Sequence, residues 1–114
     1  MDLNHLLKGA YDMHIHTAPD VTPRKCDDLE LARRLQAAGM AGCAIKSHYM
    51  DTSGRAALLQ KLYPELTFAG GVTLNRSLGG VNPQAVERMA QMGGKNALVP
   101  HLGGPLLPVL PPRG

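Results

Sequence analysis

A short apolar segment, a polar loop and an amphipathic segment follow one another three times in this chain, and this repeat constrains the fold more than any other feature. The apolar segments begin at residues 10, 40 and 67, and a further one begins at residue 96. Their length and composition predict strands, and the amphipathic segments between them predict helices. Strands that are separated by helical segments run parallel and are joined by helical crossovers. The sequence therefore predicts the α/β class.

Each predicted helix has a recognisable beginning. The first begins after Asp27, because Glu30 three residues later completes a capping-box pattern. The predicted caps of the next two helices are Thr52 or Ser53, and Asn82, which Pro83 follows. The predicted core positions are Leu31, Leu35 and Ala38 in the first helix, Ala56, Leu58, Leu59 and Leu62 in the second, and Val86, Met89 and Ala90 in the third.

Two architectures have this order of elements, an open doubly wound sheet and a (β/α) barrel. A complete eight-fold barrel needs about 250 residues, and this chain has 114. We predict a partial (β/α) barrel of the TIM-barrel type and keep the open sheet as the alternative. Residues 1–95 are the barrel portion in this prediction.

The last segment, residues 96–114, differs in composition from the rest of the chain. It is rich in proline, glycine and leucine, and it contains no acidic residue. Residues 96–99 could begin a fourth strand, but the segment beyond them has neither helical nor alternating periodicity. We therefore expect a non-native or truncated tail, and the alternative is an extended proline-rich arm. His101 lies in this tail and is given no role.

Composition argues against several classes of partner. The chain has 12 basic and 9 acidic residues, and its basic residues are scattered, so nucleic-acid binding is not expected. No segment has the roughly 20 apolar residues that a membrane span needs, so no membrane association is expected. The two cysteines, Cys26 and Cys43, have neither a metal-knuckle nor a disulfide-framework spacing. We expect them to be reduced thiols in a cytoplasmic protein.

Two histidines, His14 and His16, lie at the end of the first predicted strand. Residues two apart in a strand point to one face and lie roughly 6.6 Å apart along the chain, so their imidazoles can bind one divalent cation. At the carboxyl end of a barrel strand they would face the active-site mouth. A single His-x-His also arises by chance. The pattern predicts Asp12 on the same face as these histidines.

A third histidine, His48, follows the second predicted strand and is therefore expected near the same mouth. A lone histidine at such a position is more often a solvated loop residue. Beside the pair on the first strand, it becomes a candidate third metal ligand.

Residues 12–17, DMHIHT, resemble the first motif of the amidohydrolase-type and PHP-type metal-dependent hydrolases. Those proteins are barrels with His-x-His on the first strand, and in the PHP type a Thr-Asp-His follows the second strand. Residues 46–48, KSH, match that place, with Ser47 where the PHP type has Asp. The longer pattern is similar to an uncharacterised amidohydrolase-related barrel family, with HIHTAPD at 14–20, AGM at 38–40, KSH at 46–48, GGVTLN at 70–75 and GGVNP at 79–83.

The resemblance implies a divalent metal ion, Zn, Mn or Fe, that is held by His14, His16 and His48. It implies a hydrolase in its full-length form, in which metal-activated water attacks an amide, ester or phosphoester of a small-molecule substrate. Asp12 is a candidate to orient a ligand histidine. Lys46 is a candidate to bind an anionic substrate or, once carboxylated, to bridge two metals. A lysine at the end of a strand more often pairs with a carboxylate or reaches solvent.

Two other functions stay open at this point. One is a catalytically incomplete barrel fragment with weak or no metal binding, because ligands from later strands have no counterpart. The other is a metal-free lyase or isomerase barrel that uses Lys46 as a Schiff-base or acid–base residue. Exposed strand edges predict self-association. The weaker candidates are Asp20, as a ligand or a loop cap, and Asn75 and Arg76, as substrate contacts.

Overall fold

The computed structural model describes residues 4–99, which form an α/β domain with parallel strands, as the sequence predicts. The described residues do not form a closed barrel. The strands are β1 (Tyr11–Ile15), β2 (Gly42–Ile45), β3 (Thr67–Ala69), β4 (Gly71–Thr73) and β5 (Asn96–Leu98). The helices are α1 (Asp28–Ala37), α2 (Ser53–Leu62) and α3 (Pro83–Gln91), with 3₁₀ turns at Asn4–Leu6 and Arg76–Leu78.

The third predicted strand is divided in two, which the sequence did not predict. Residues 67–69 pair with β2, so that Gly42 lies opposite Thr67. Residues 71–73 instead pair with β5, and Gly71 lies opposite Asn96. The two sheets, in the order β1-β2-β3 and β4-β5, therefore meet at Gly70.

The break at Gly70 exists because the chain that follows β2 returns to the sheet at this point. The Thr52 hydroxyl donates to the Ile45 carbonyl oxygen at 2.7 Å and accepts from the Gly71 N–H at 3.0 Å. The Thr52 N–H also donates to the Gly71 carbonyl oxygen at 2.9 Å. Thr52 thus satisfies backbone groups that a neighbouring strand would otherwise pair, and it is fully buried.

All three predicted N-cap positions are confirmed, and the side chain of the cap residue makes the capping hydrogen bond in α1 and α3. The Asp27 carboxylate accepts from the Glu30 N–H at 2.8 Å, and the Asn82 side chain accepts from the Gln84 N–H. Helix α2 begins differently, because the Thr52 hydroxyl is engaged at the strand break. The Asp51 carboxylate accepts instead from the Ser53 N–H at 2.8 Å and from its hydroxyl at 2.6 Å.

The larger core lies between one face of β1–β3 and the helices α1 and α2. Cys43 and Ile45 point into this core, and the buried stripe of α1 that the sequence predicts is confirmed at Leu31 and Leu35. The prediction for α2 is only half right, because Ala56 and Leu59 are buried whereas Leu58 and Leu62 are exposed. A smaller core joins α3 to β4 and contains Val72, Leu74 and Met89.

The sheet has a second face, opposite the one that packs on the larger core. Side chains alternate along a strand, so Ala44 and Lys46 point away from the face that bears Cys43 and Ile45. We call this side of β2, together with the matching side of β4 at Thr73, the cavity face. It borders a cavity of about 100 Å³.

None of the described helices is both long enough and apolar enough to cross a membrane.

Gly70→Ala is expected to lower the free energy of unfolding by roughly 2 kcal/mol, because it overpacks the strand break. A Cβ at this position would lie 2.5 Å from the Ser53 Cα and 2.7 Å from the Thr52 carbonyl oxygen, and neither backbone atom can move freely. Gly54→Ala is the matched control, since its Cβ would meet only the Met92 Cε, at 3.6 Å.

The control is expected to raise the free energy of unfolding by about 0.5 kcal/mol, because alanine loses less entropy than glycine in a helix. Urea unfolding of both variants measures the two changes. Equal effects of the two substitutions would contradict the close backbone approach at Gly70.

Candidate functional site

The three histidines that the sequence singled out lie side by side. The Nε2 atoms of His14 and His16 are 3.2 Å apart. The His16 ring stacks on the His48 ring with centroids 4.7 Å apart and an angle of 21° between the planes. Parallel strands β1 and β2 end at the same edge of the sheet, which brings His48 to the histidines of β1.

A bulge in β1 changes the face on which Asp12 lies. Asp12 pairs with Cys43 and Ile15 pairs with Ile45, so two residues of β1 lie opposite one residue of β2. Because Cys43 belongs to the core, Asp12 lies on the side of the helices. The prediction that Asp12 shares a face with the histidines is therefore wrong. Its carboxylate accepts from the backbone N–H of His14 at 3.1 Å.

The spacing of the first two histidines suits a shared cation. Two nitrogens on a tetrahedral cation, with metal–nitrogen bonds of 2.0–2.1 Å, lie ~3.3 Å apart. The Nε2 atoms of His14 and His16 lie at nearly this separation. The same separation is that of a hydrogen bond from one ring to the other, so the two nitrogens are close enough to share either a proton or a cation.

His48 does not complete a metal site in its present rotamer. Metal–imidazole bonds lie in the plane of the ring, and two stacked, nearly parallel planes do not meet at a nearby point. Accordingly, the described part of the chain contains no group of three or more His, Cys, Asp or Glu side chains placed to hold a metal ion. His48 would have to rotate about its side-chain bonds to join His14 and His16.

The surroundings of His16 lower its pKa and so favour the neutral form of the ring. Burial lowers the pKa of His16, and the charges of His48, Arg24 and His14 lower it further, while the Lys46 backbone acts in the opposite direction. The Nδ1 atom of His16 is buried and has no partner in hydrogen-bond geometry among residues 4–99. A neutral imidazole offers a lone pair, which is the form that binds a metal ion.

The turn that carries His48 is held in place by three polar side chains from two segments. The Asn75 amide donates to the His48 carbonyl oxygen at 2.8 Å, and the Ser77 hydroxyl donates to the Tyr49 carbonyl oxygen at 2.9 Å. The Ser47 hydroxyl accepts from the Tyr49 N–H at 3.1 Å. Asn75, which the sequence offered as a substrate contact, instead anchors a candidate ligand.

Asp20 is engaged by other protein groups. Its carboxylate is fully buried, accepts from the Arg24 Nε at 2.7 Å and from the Val21 N–H at 2.7 Å, and lies 3.4 Å from the Ser47 hydroxyl. Burial acts to raise the pKa of Asp20, but these partners together lower it below its usual value. Of the two roles that the sequence left open, the geometry matches the loop cap rather than the metal ligand.

A buried network beneath the histidines escaped the sequence analysis. The Arg55 guanidinium donates to both carboxylate oxygens of Asp28, at 2.8 and 2.9 Å. It also donates to the Thr17 carbonyl and hydroxyl oxygens, at 3.1 and 3.0 Å. No local pattern links residues 38 positions apart, so only the fold reveals this contact. The Asp20–Arg24 pair, in contrast, has an i,i+4 spacing that the sequence displays.

Lys46 lies on the cavity face, one residue beyond β2. Its backbone N–H donates to the Ile15 carbonyl oxygen at 2.9 Å, which extends the ladder with β1. Its side chain borders the cavity of about 100 Å³, to which the histidines do not contribute. The cavity nevertheless adjoins them along the chain, because Met13 and Ser47 line it and precede His14 and His48.

Fold and site together define a small α/β domain in which parallel strands carry a histidine cluster at their carboxyl ends. The chain belongs to DUF6282, a family of unknown function, whose model matches residues 9–104. No curated protein and no solved structure matches the chain.

His16→Gln is expected to remove part of the acid sensitivity of the metal-free protein. Because the pKa of His16 is lowered in the folded state from 6.5, the unfolded chain takes up the proton first as the pH falls. The stability that neutral His16 contributes is therefore complete above pH 6.5. It is lost as the pH falls through the lower pKa that His16 has in the folded protein. Urea unfolding in EDTA at several pH values measures it. An unchanged pH profile in His16→Gln, or an equal change in His5→Gln, would contradict this prediction.

Arg55→Met is expected to lower the free energy of unfolding by roughly 3 kcal/mol, because it leaves the buried Asp28 carboxylate without its partner. The matched control is Arg33→Met on the exposed side of α1, which should change stability by less than about 0.5 kcal/mol. Chemical unfolding of both proteins tests the difference. Similar losses in the two variants would show that the network contributes little.

Proposed function

We propose that this protein is a metal-dependent hydrolase of the amidohydrolase-like type in its full-length form. The observation that carries the proposal is the 3.2 Å separation of the His14 and His16 Nε2 atoms, at the carboxyl end of a parallel strand. Residues at this end of the strands form the active sites of (β/α) barrels. The lowered pKa of His16 supports the same function, because it favours the neutral ring that a metal requires.

The proposed architecture is a partial (β/α) barrel. Consecutive strands β1, β2 and β3 lie side by side and run parallel, and α1 and α2 pack on one face of them. The chain then passes through Gly70 to β4, which pairs with β5 in the same parallel sense. This continuous order, in which each new strand is added at the same edge, supports a barrel segment over a doubly wound sheet, in which the order reverses.

In this proposal His14 and His16 hold a Zn, Mn or Fe ion, and His48 joins them after rotation of its ring. A divalent cation at such a site lowers the pKa of water toward about 7 and polarises a carbonyl or phosphoryl group, which suits hydrolysis of an amide, ester or phosphoester. Asp12 acts through the backbone N–H of His14 and so orients that residue. Lys46 faces the adjoining cavity and is placed to contact a small-molecule substrate.

Two alternatives have their own supporting observations. The stacked ring of His48 favours a catalytically incomplete domain that binds metal weakly or not at all. The half-buried Lys46 on the cavity face favours a metal-free lyase or isomerase that uses its amine as a Schiff-base or acid–base group. Metal content and the effect of chelators on activity separate these alternatives from the hydrolase.

The proposal includes a location and an association state. Two free, buried cysteines, Cys26 and Cys43, suit the reducing cytoplasm. We place self-association at the free edges of the two sheets, at β1 and β5, and Tyr11 of β1 is exposed there. Nucleic acid and membranes are not partners in this proposal.

We expect metal-free protein to take up Zn²⁺, Mn²⁺ or Fe²⁺, and we expect His14→Ala with His16→Ala to abolish uptake. Asn75→Ala should weaken binding by about tenfold, because residues that position a ligand typically have effects of this size. His5→Ala is the control and should bind as the wild type does. Equilibrium dialysis followed by elemental analysis measures the bound metal.

The pH dependence and the activity complete this test. Protons compete for imidazole, so metal binding should weaken as the pH falls through roughly 6. Hydrolysis of simple esters, amides and phosphoesters should disappear with chelator and return with metal. The same metal content in the wild type and the double variant would overturn the proposed ligands. Metal uptake without hydrolysis would favour the incomplete domain.

A further inference from the structure

We propose that the cavity bordered by Lys46 binds the carboxylate of a small organic monoanion. This inference rests on the proposed function, because the bound anion would be the part of the substrate that is not hydrolysed. The cavity lies on the cavity face of the sheet, where β1, β2, β4 and β5 all contribute residues.

One part of the cavity lining is polar and carries a positive charge. Lys46, Thr73 and Asn96 border the cavity, and their side chains carry an ammonium group, a hydroxyl and an amide. Within residues 4–99 the Lys46 ammonium has no carboxylate within 4.0 Å, since the salt bridges there are Arg24–Asp20 and Arg55–Asp28. Donors that are not already engaged are available to a ligand.

The charge of this lining favours a monoanion. Lys46 is half-buried and forms no salt bridge among the described residues, so an anion in the cavity would supply its counter-charge. The nearby carboxylates do not supply that counter-charge, because Asp20 is paired with Arg24 and Asp12 lies on the side of the helices. One lysine balances the single charge of a carboxylate, whereas a phosphate dianion would remain undercompensated.

The remaining lining is apolar and suits a short carbon chain. Met13, Ala44 and Leu98 border the cavity beside the polar groups. Its volume of about 100 Å³ exceeds the 10–15 Å³ or so that one water molecule needs. Met13 and Ser47 line the cavity and directly precede two of the candidate metal ligands along the chain. Under the proposed function, the substrate class is an amide or ester that also carries a free carboxylate.

Titration of metal-free, isotopically labelled protein with acetate and then propionate tests this site. We expect saturable shifts of the backbone amide signals of Lys46, Thr73 and Asn96 in two-dimensional NMR spectra. Propionate should bind about fourfold more tightly than acetate, because one more methylene contacts the apolar lining. Inorganic phosphate, titrated in the same way, should bind more weakly than propionate.

Substitutions of Lys46 separate its charge from its bulk. Lys46→Met should weaken propionate binding by about tenfold or more, because a charge-assisted hydrogen bond is lost, and Lys46→Gln is a second neutral variant should methionine disturb folding. Lys46→Arg should retain binding. Lys61→Met removes the same charge from the exposed side of α2 and should leave binding unchanged.

The outcome for the histidines distinguishes this site from the metal site. His14→Ala with His16→Ala should retain propionate binding although metal uptake is lost, and Lys46→Met should retain metal uptake. Unchanged propionate affinity in both neutral Lys46 variants, or the absence of saturable shifts in the wild type, would overturn the anion site. Tighter binding of phosphate than of propionate would overturn the carboxylate assignment.

Discussion

The buried guanidinium of Arg55 connects the segments on which the rest of the domain depends. It reaches from α2 to Asp28 at the start of α1 and to both oxygen atoms of Thr17, the residue after His16. Such a buried charge is tolerated only where several good hydrogen bonds replace the lost water. The bidentate contact with Asp28 and the two contacts with Thr17 supply four such bonds, while the buried Nη1 atom has no partner among the described residues. Thr17 is fully buried, so this contact fixes the position of the chain at the end of β1. It therefore also fixes the backbone of His16, the preceding residue.

A second constraint acts at the other side of the site, where Thr52 and Gly70 divide the third strand. The loop after β2 has to carry His48 outward and then return to the sheet to begin α2. The Thr52 hydroxyl fixes that return through the Ile45 and Gly71 backbones. Asn75 and Ser77, which follow β4, then hold the same loop at His48 and Tyr49. The segment that follows β4 thus fixes the position of His48.

The charges around the histidines are arranged in separate pairs. Asp20 is neutralised by Arg24, and Asp28 by Arg55, so neither carboxylate is available to a cation at the histidine cluster. Burial lowers the pKa of His16, and the charges of His48 and Arg24 lower it further. Lys46, on the cavity face, forms no salt bridge within the described part of the chain. The cavity that it borders adjoins the histidine cluster along the chain, because Met13 and Ser47 line it and precede His14 and His48.

Three features were predictable from the sequence. They are the repeat of strands and helices, the caps at Asp27 and Asn82, and the adjacency of His14, His16 and His48. Each rests on local periodicity, on side-chain hydrogen bonds over two or three residues, or on the rule that parallel strands end at one edge. Four other features could be recognised only in the tertiary structure. They are the break at Gly70, the bulge that turns Asp12 toward the helices, the stacking of His48 on His16 and the Arg55 network. These features depend on contacts between residues that are distant in sequence, and on a competition for backbone hydrogen bonds that no local pattern records. The sequence by itself determined which histidines come together at the ends of the strands, and the packing of distant segments decided how their rings face one another.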